Sequence, residues 1–146
     1  MERSYDGVIL IDGPPGEGEA FDASFLERND HPVLVCHGPS EQPCPLVSGA
    51  GCAKFEAAHG IVFALDLDVP QHRAIVERYR TEDGELPIRV VVGPEQAVRY
   101  SAELTGVEVW THEPTVADLD GFAARIEAQV RSSQAQTMPG ATGSNP

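Results

Sequence analysis

Five short apolar runs recur along the chain, and polar or amphipathic segments separate each run from the next. The runs are rich in Val and Ile and occupy residues 8–12, 32–36, 61–65, 88–92 and 107–111. Strands that alternate with helical segments are typical of βα units, which build a parallel sheet. The third and fourth runs are apolar without alternation, which indicates strands that are covered on both faces, as in a doubly wound sheet.

The segments between the runs predict helices around residues 20–28, 52–59, 70–80 and 95–104, and a last helix after residue 115. The last helix has the clearest pattern, since its apolar residues share one face: Val116, Leu119, Phe122, Ala123, Ile126 and Val130. Thr115 can cap this helix, with Asp118 as the acid of a capping box. We therefore predict one α/β domain over residues 1–131. Residues 132–146 are small and polar without an apolar period, which predicts a disordered tail.

The charge of the chain excludes several classes of partner. Acidic residues outnumber basic residues 23 to 10, and the formal net charge is −13. Nucleic acids and anionic membranes are therefore not expected as partners, because both attract basic surfaces. The sequence has no apolar run of membrane-spanning length and no signal-peptide pattern at its start, so we expect a cytoplasmic protein.

A glycine-rich segment after the first run has part of the spacing of a phosphate-binding loop. Gly13 and Gly18 match the two glycines of GxxxxGK[ST], but Glu19 and Ala20 stand where the motif needs a lysine and a hydroxyl. A carboxylate there repels phosphate, so we interpret the segment as a Gly/Pro turn. A small nucleotide-binding enzyme is the less favoured alternative.

The second half of the chain resembles the receiver domains of two-component response regulators. The resemblance covers residues 60–131 and is carried by GIVFALDLDVP, LPIRVVVGP and GVEVWTHEPTVADLDGFAARIEAQV. It implies a flavodoxin-like (βα)5 fold, a doubly wound parallel sheet of five strands in the order 2-1-3-4-5. It also implies a functional edge at the carboxyl ends of the strands.

The resemblance assigns an acidic site and also shows where that site is degenerate. Asp66 matches the phosphoacceptor, and Asp12 matches one member of the acidic pair that holds Mg²⁺, with Asp68 close by in sequence. Val92 stands where the family has a hydroxyl, and Glu113 stands where it has a lysine. We therefore expect a non-catalytic pseudo-receiver that is not phosphorylated and that binds Mg²⁺ weakly at most. A simpler alternative makes Asp68 a helix cap.

A receiver without phosphoryl chemistry would act through its surface. By resemblance, the usual partner face comprises the fourth helix, the fifth strand and the fifth helix. Its residues here include Glu103, Glu108, Trp110 and Asp118. This face would dock a basic protein or a second copy of the chain, and the alternative is a solvated acidic surface with Trp110 half-buried.

Three cysteines and a histidine form a second candidate site. Cys36, Cys44 and Cys52 are separated by seven residues each, and His37 adds an imidazole. These groups are sufficient for Zn²⁺ or an iron–sulfur cluster, although structural zinc sites usually show closer spacing. A metal-binding or redox-sensing module on the same fold is therefore the alternative function. The cysteines are otherwise small core residues.

Overall fold

The chain folds around a parallel sheet of five strands. A computed structural model describes residues 7–14, 17–38, 44–82 and 85–137. The strands are β1 (Ile9–Asp12), β2 (Val33–Cys36), β3 (Gly60–Phe63), β4 (Ile88–Val91) and β5 (Glu108–Trp110). All the pairings are parallel and the order is β2-β1-β3-β4-β5. The predicted α/β fold of flavodoxin-like topology is confirmed.

Helices follow the strands on both sides of the sheet. They are α1 (Glu17–Arg28), α2 (Pro45–Ser48), α3 (Ala53–Ala57), α4 (Pro70–Glu82), α5 (Pro94–Arg99) and α6 (Val116–Thr137). The helix that we predicted around residues 52–59 corresponds to α3, and α2 is an additional short helix in the segment that we predicted as a loop. Gly49 and Gly51, with φ of 93° and 90°, take the left-handed conformation between them, which breaks a continuous helix. Among the described helices, none is long and apolar enough to cross a membrane.

Each face of the sheet carries its own apolar core. On β1, Ile9 and Ile11 pack with α1 and α6, whereas Leu10 packs with the layer that contains α4. Phe63 on β3 joins the α4 side and is fully buried. Since successive residues of a strand point to opposite faces, these assignments confirm strands that are covered on both sides.

Helix α6 begins at a capping box and ends later than the predicted domain boundary. The Asp118 backbone N–H donates to Thr115 Oγ1 at 3.1 Å, and the Thr115 N–H donates to Asp118 Oδ2 at 3.0 Å, which is the predicted capping box. The helix continues to Thr137, six residues past the domain boundary that we predicted at residue 131. Extending an existing helix costs little, which accounts for the later end. Residues 138–146 lie outside the described part of the chain.

Candidate functional site

The side chain of Asp12 lies inside the protein at the end of β1. Asp12 is only 1% exposed, and the Tyr79 hydroxyl of α4 donates to its Oδ2 at 2.5 Å. Its Oδ1 has no hydrogen-bond partner among the described residues. Tyr79 is held between Phe55, on which it stacks with ring centroids 5.2 Å apart, and Phe63, which meets it edge to face at 6.4 Å. The Asp12 side chain is therefore buried beneath α4 and does not face the solvent.

Burial controls the ionisation of this cluster. Loss of solvation raises the pKa of Asp12 from 3.8 to about 6, and the Tyr79 hydroxyl, the Cys36 thiol and the Lys54 ammonium act in the opposite direction. The pKa of Tyr79 is raised by its own burial and by the neighbouring Asp12 carboxylate. The pKa of Cys36 is also raised, mainly by burial. At neutral pH Tyr79 and Cys36 are therefore protonated, whereas Asp12 loses its proton only as the pH rises through about 6.

Asp66 and Asp68 lie in the exposed loop that follows β3 and bond to α5 and the residue after it. Gln96 Nε2 donates to Asp66 Oδ1 at 2.9 Å, and the Asp68 backbone N–H donates to the same oxygen at 3.0 Å. Asp68 Oδ1 accepts from Arg99 at 3.0 Å and from the Tyr100 hydroxyl at 2.7 Å. The Gln96 bond lowers the pKa of Asp66, and the Tyr100 bond is the main cause of the lowered pKa of Asp68. Both carboxylates stay ionised and hold the loop against α5.

The three predicted acids of the receiver-like site have different hydrogen-bond partners. Asp12 points to the α4 side of the sheet and contacts Tyr79, whereas Asp66 and Asp68 contact α5 and Tyr100. Within the described ranges, no three His, Cys, Asp or Glu side chains are grouped so that they could hold a metal ion.

The degenerate positions lie at the same edge of the sheet. Val92 is buried, and its backbone N–H donates to the Trp110 carbonyl at 3.0 Å. Glu113 is exposed after β5. The neighbours that Asp66 does have are the Gln96 amide and the His72 ring, whose Nδ1 lies 2.7 Å from the Asp66 carbonyl oxygen. A valine side chain has no hydroxyl and a glutamate has no ammonium, so neither position offers these groups to Asp66.

The three cysteines are partly buried free thiols. Cys36, Cys44 and Cys52 all pack against the apolar core on the α4 side, and Cys44 and Cys52 directly precede α2 and α3. The Gly38 N–H donates to Cys36 Sγ at 3.5 Å, and His37 is exposed. The predicted metal set of three thiols and one imidazole is not assembled, which agrees with the alternative that the cysteines are small core residues.

The predicted partner face is partly engaged in internal contacts. Trp110 is half-buried and meets Phe122 edge to face with ring centroids 6.2 Å apart. Asp118 accepts in the α6 cap and lies 2.8 Å from His112 Nε2, and Glu108 pairs with arginines that are described below. Glu103 is half-buried, and its carbonyl accepts from another arginine. Several of the predicted docking residues thus also hold the fold together.

Sequence reasoning missed Tyr79, Gln96 and Arg89. Tyr79 falls four residues after Ile75 on the buried face of α4, and a buried tyrosine needs a partner for its hydroxyl. The tyrosine on the apolar face of α4 was therefore the sequence feature that indicated a polar group beneath this helix. Gln96 gave no signal, because an amide on a short helix is ordinary. Arg89 interrupts an apolar strand, which signals a buried ion pair.

No model of a known protein family matches the chain, and no curated protein matches its sequence. The fold and the site together define a flavodoxin-like α/β domain. Its predicted acidic pocket is divided between a buried carboxyl group and two exposed carboxylates that bond to other side chains.

Proposed function

We propose that the chain is a non-catalytic, receiver-like regulatory domain that acts by binding another protein. The observation that carries the proposal is the burial of Asp12, which is 1% exposed and whose Oδ2 accepts from the Tyr79 hydroxyl. Aspartyl phosphorylation needs a cation, an orienting hydroxyl and a positive group beside the acceptor. Asp66 instead has Gln96 as its side-chain donor, which supports binding rather than phosphoryl transfer.

Exposed apolar side chains support a partner site around β5. Among the described residues, Val98 and Val116 are the large hydrophobic side chains that are left exposed, at 77% and 49%. Val98 lies on α5 and Val116 begins α6, so they lie on the helices that precede and follow β5, an edge strand. Isolated exposed side chains are common, but this pair coincides with the face that receivers use.

The net charge favours a particular kind of partner for this face. Two copies that each carry −13 repel each other, so a partner with a basic rim around an apolar centre fits better than a second copy. Asp118, on the first turn of α6, and the exposed Glu113 would contact such a rim.

Two experiments test the two halves of this proposal. In the first, the protein is incubated with Mg²⁺ and acetyl phosphate, or with beryllofluoride, and analysed by mass spectrometry. We expect no adduct at Asp66, and an Asp66→Asn variant serves as the blank. Modification of Asp66 in the natural chain that is lost in Asp66→Asn would overturn the non-catalytic half.

The second experiment maps the binding face. Proteins captured from a lysate of the source organism are crosslinked to the chain, and the crosslinked positions are identified. We expect crosslinks to α5 and α6, and at least a tenfold weaker complex for Val98→Glu. Ser24→Glu on α1 adds the same charge at another exposed position and should leave binding unchanged. Binding that tolerates Val98→Glu, or a partner that crosslinks only to α1, would contradict the proposed face.

A second function, thiol redox sensing, is supported by the proximity of two free thiols. Cys36 and Cys52 pack against the same apolar core, and Cys52 is near enough to influence the pKa of Cys36. Burial raises that pKa, so thiolate formation and exchange are expected at alkaline pH. A low-molecular-weight disulfide would oxidise the two thiols to one intramolecular disulfide and would itself be reduced to two thiols, which take up the two protons that Cys36 and Cys52 release.

Mass spectrometry under non-reducing conditions tests this second function. After treatment with glutathione disulfide, we expect a Cys36–Cys52 linked peptide in the natural chain and in Cys44→Ser. We expect no such link in Cys52→Ser. Only mixed disulfides with glutathione, or a link that involves Cys44, would exclude this mechanism.

A further inference from the structure

A groove opens at the amino-terminal ends of β4 and β5, whereas Asp66 follows the carboxyl end of β3. Its volume is about 500 Å³, and it is lined by the loop before β4, the loop before β5, and side chains from α4 and α6. This volume lies in the range of roughly 300–1,000 Å³ that is usual for small-molecule sites. None of the site residues predicted from the sequence accounts for it except Glu108, which lies on its wall.

Three arginines converge on this groove. Among the described residues, Arg80, Arg89 and Arg125 line it together with the acids Glu85 and Glu108, so arginines outnumber acids. The chain as a whole carries −13 and has ten basic residues. A local excess of guanidinium groups on such an acidic chain is the charge distribution that retains a small anion.

The arginines differ in how fully they are engaged. Arg89 is 9% exposed, its guanidinium lies over Phe122 at 4.9 Å from the ring centroid, and its Nη2 lies 3.0 Å from Glu108 Oε1. The other carboxylate oxygen, Glu108 Oε2, lies 3.6 Å from Arg125 Nη1, which is beyond hydrogen-bond distance. The Arg125 side chain is 53% exposed, so Arg89 is a buried ion-pair member and Arg125 faces the solvent in the groove.

The position of Arg80 is fixed from the other side. Its Nη1 donates to the Glu103 carbonyl at 2.8 Å, which directs the guanidinium across the gap between α4 and the turns that follow α5. A guanidinium has five N–H donors in a planar fork that fits carboxylate and phosphate oxygens. Leu86 and Val107 also line the groove and offer an apolar surface to the carbon atoms of a ligand.

We propose that this groove binds the carboxylate or phosphate group of a small organic anion, with Arg125 and Arg80 contacting the oxyanion. Glu108 holds Arg89 in place and competes with the ligand for Arg125. A large polyanion is disfavoured because the rest of the surface repels it, and only a small anion lies within the range of the local positive charge. The proposal does not depend on the receiver-like function and concerns the opposite edge of the sheet.

The single tryptophan of the chain gives a direct readout of binding. Trp110 lies under the Arg89 guanidinium, 5.9 Å from the ring centroid. Inorganic phosphate and malonate are titrated separately into the full chain in Tris-chloride at constant ionic strength, and Trp110 fluorescence is recorded. We expect a saturable change with at least one of them below about 10 mM, and the comparison of the two shows which oxyanion the groove prefers.

Charge variants assign the change to the groove. Arg125→Gln should weaken binding at least tenfold, whereas Arg99→Gln is a matched control, because both side chains are 53% exposed and each pairs with one carboxylate. Glu108→Gln should tighten binding because it removes the competing charge. The proposal is overturned if neither anion gives saturation, or if Arg125→Gln and Arg99→Gln behave alike.

Discussion

Replacing Asp12 with asparagine should remove a specific part of the dependence of stability on pH. The amide has nearly the same shape as the carboxyl group and stays neutral at every pH. In the natural chain, the pKa of Asp12 is about 6 in the folded state and 3.8 when the group is solvated. Between these two pH values, a larger fraction of Asp12 is protonated in the folded state than in the unfolded state. The free energy of unfolding therefore falls as the pH rises through this window.

The size of the effect follows from the two pKa values. A difference of one pKa unit corresponds to about 1.4 kcal/mol, so the rise from 3.8 to about 6 amounts to about 3 kcal/mol. The Asp12 contribution is complete below pH 3.8 and is lost above pH 6. About 1.4 kcal/mol of it falls between pH 5 and pH 8, where most other carboxyl groups are already ionised. Because Asp12 is 1% exposed, solvent screening does not reduce this figure much.

Urea denaturation at pH 5 and pH 8 measures the difference. We expect the natural chain to lose about 1.4 kcal/mol more than Asp12→Asn between these two pH values. The exposed Asp120→Asn on α6 should follow the natural chain. If the natural chain and Asp12→Asn differ by less than about 0.3 kcal/mol in this loss, the carboxyl group is not buried as described.

The Tyr79 hydroxyl gives a second test of the same cluster. In the natural chain, the hydrogen bond from the Tyr79 hydroxyl to Asp12 Oδ2 lowers the pKa of Asp12. Tyr79→Phe removes this bond and should therefore raise the pKa of Asp12. The window should therefore move to higher pH, and stability at pH 8 should fall by about 1.5–3 kcal/mol, the usual worth of a hydrogen bond to a charged group. An unchanged window together with unchanged stability would show that this bond does not form.

Two further predictions concern packing and capping. Thr115→Ala should destabilise the protein by about 1 kcal/mol, because it removes the cap that Thr115 shares with Asp118. Thr115→Ser keeps a hydroxyl at this position and should retain most of the stability of the natural chain. Urea denaturation of the two variants measures the difference. Gly60→Ala should cost about 1–3 kcal/mol, since a Cβ atom there would lie 2.2 Å from Ile126 Cδ1. Gly121→Ala on α6 meets no neighbouring atom within 4 Å and should instead stabilise the protein by roughly 0.5–1 kcal/mol; equal effects at the two glycines would contradict the packing.

The strands were predictable because their signal is local. Runs of Val and Ile that lack alternation can be buried only between two layers, and the sheet order follows from the βα connections. The additional short helix α2, which ends before Gly49, was not foreseen. It depends on Gly49 and Gly51 taking a positive φ, and glycine permits but does not require that conformation.

The site was harder to predict because it depends on the direction of side chains. From the sequence, a carboxylate at the end of a strand is expected at the exposed edge of the sheet. Asp12 instead points to the same face of the sheet as Leu10, two residues earlier, and therefore faces α4. Whether that position is tolerated depends on Tyr79, which is 67 residues away in the sequence. The pairing of Arg89 with Glu108 likewise needs the register of β4 and β5.

The position of Lys54 affects how the sheet meets other molecules. β2 is an outer strand of the sheet, and the Lys54 ammonium donates to the Val35 carbonyl at 2.6 Å. An outer strand with open carbonyl groups is a template for pairing with a strand of another chain, and a bonded cation blocks that template. Since Lys54 is the only lysine in the sequence, the shielding of this edge by an ammonium group depends on one residue.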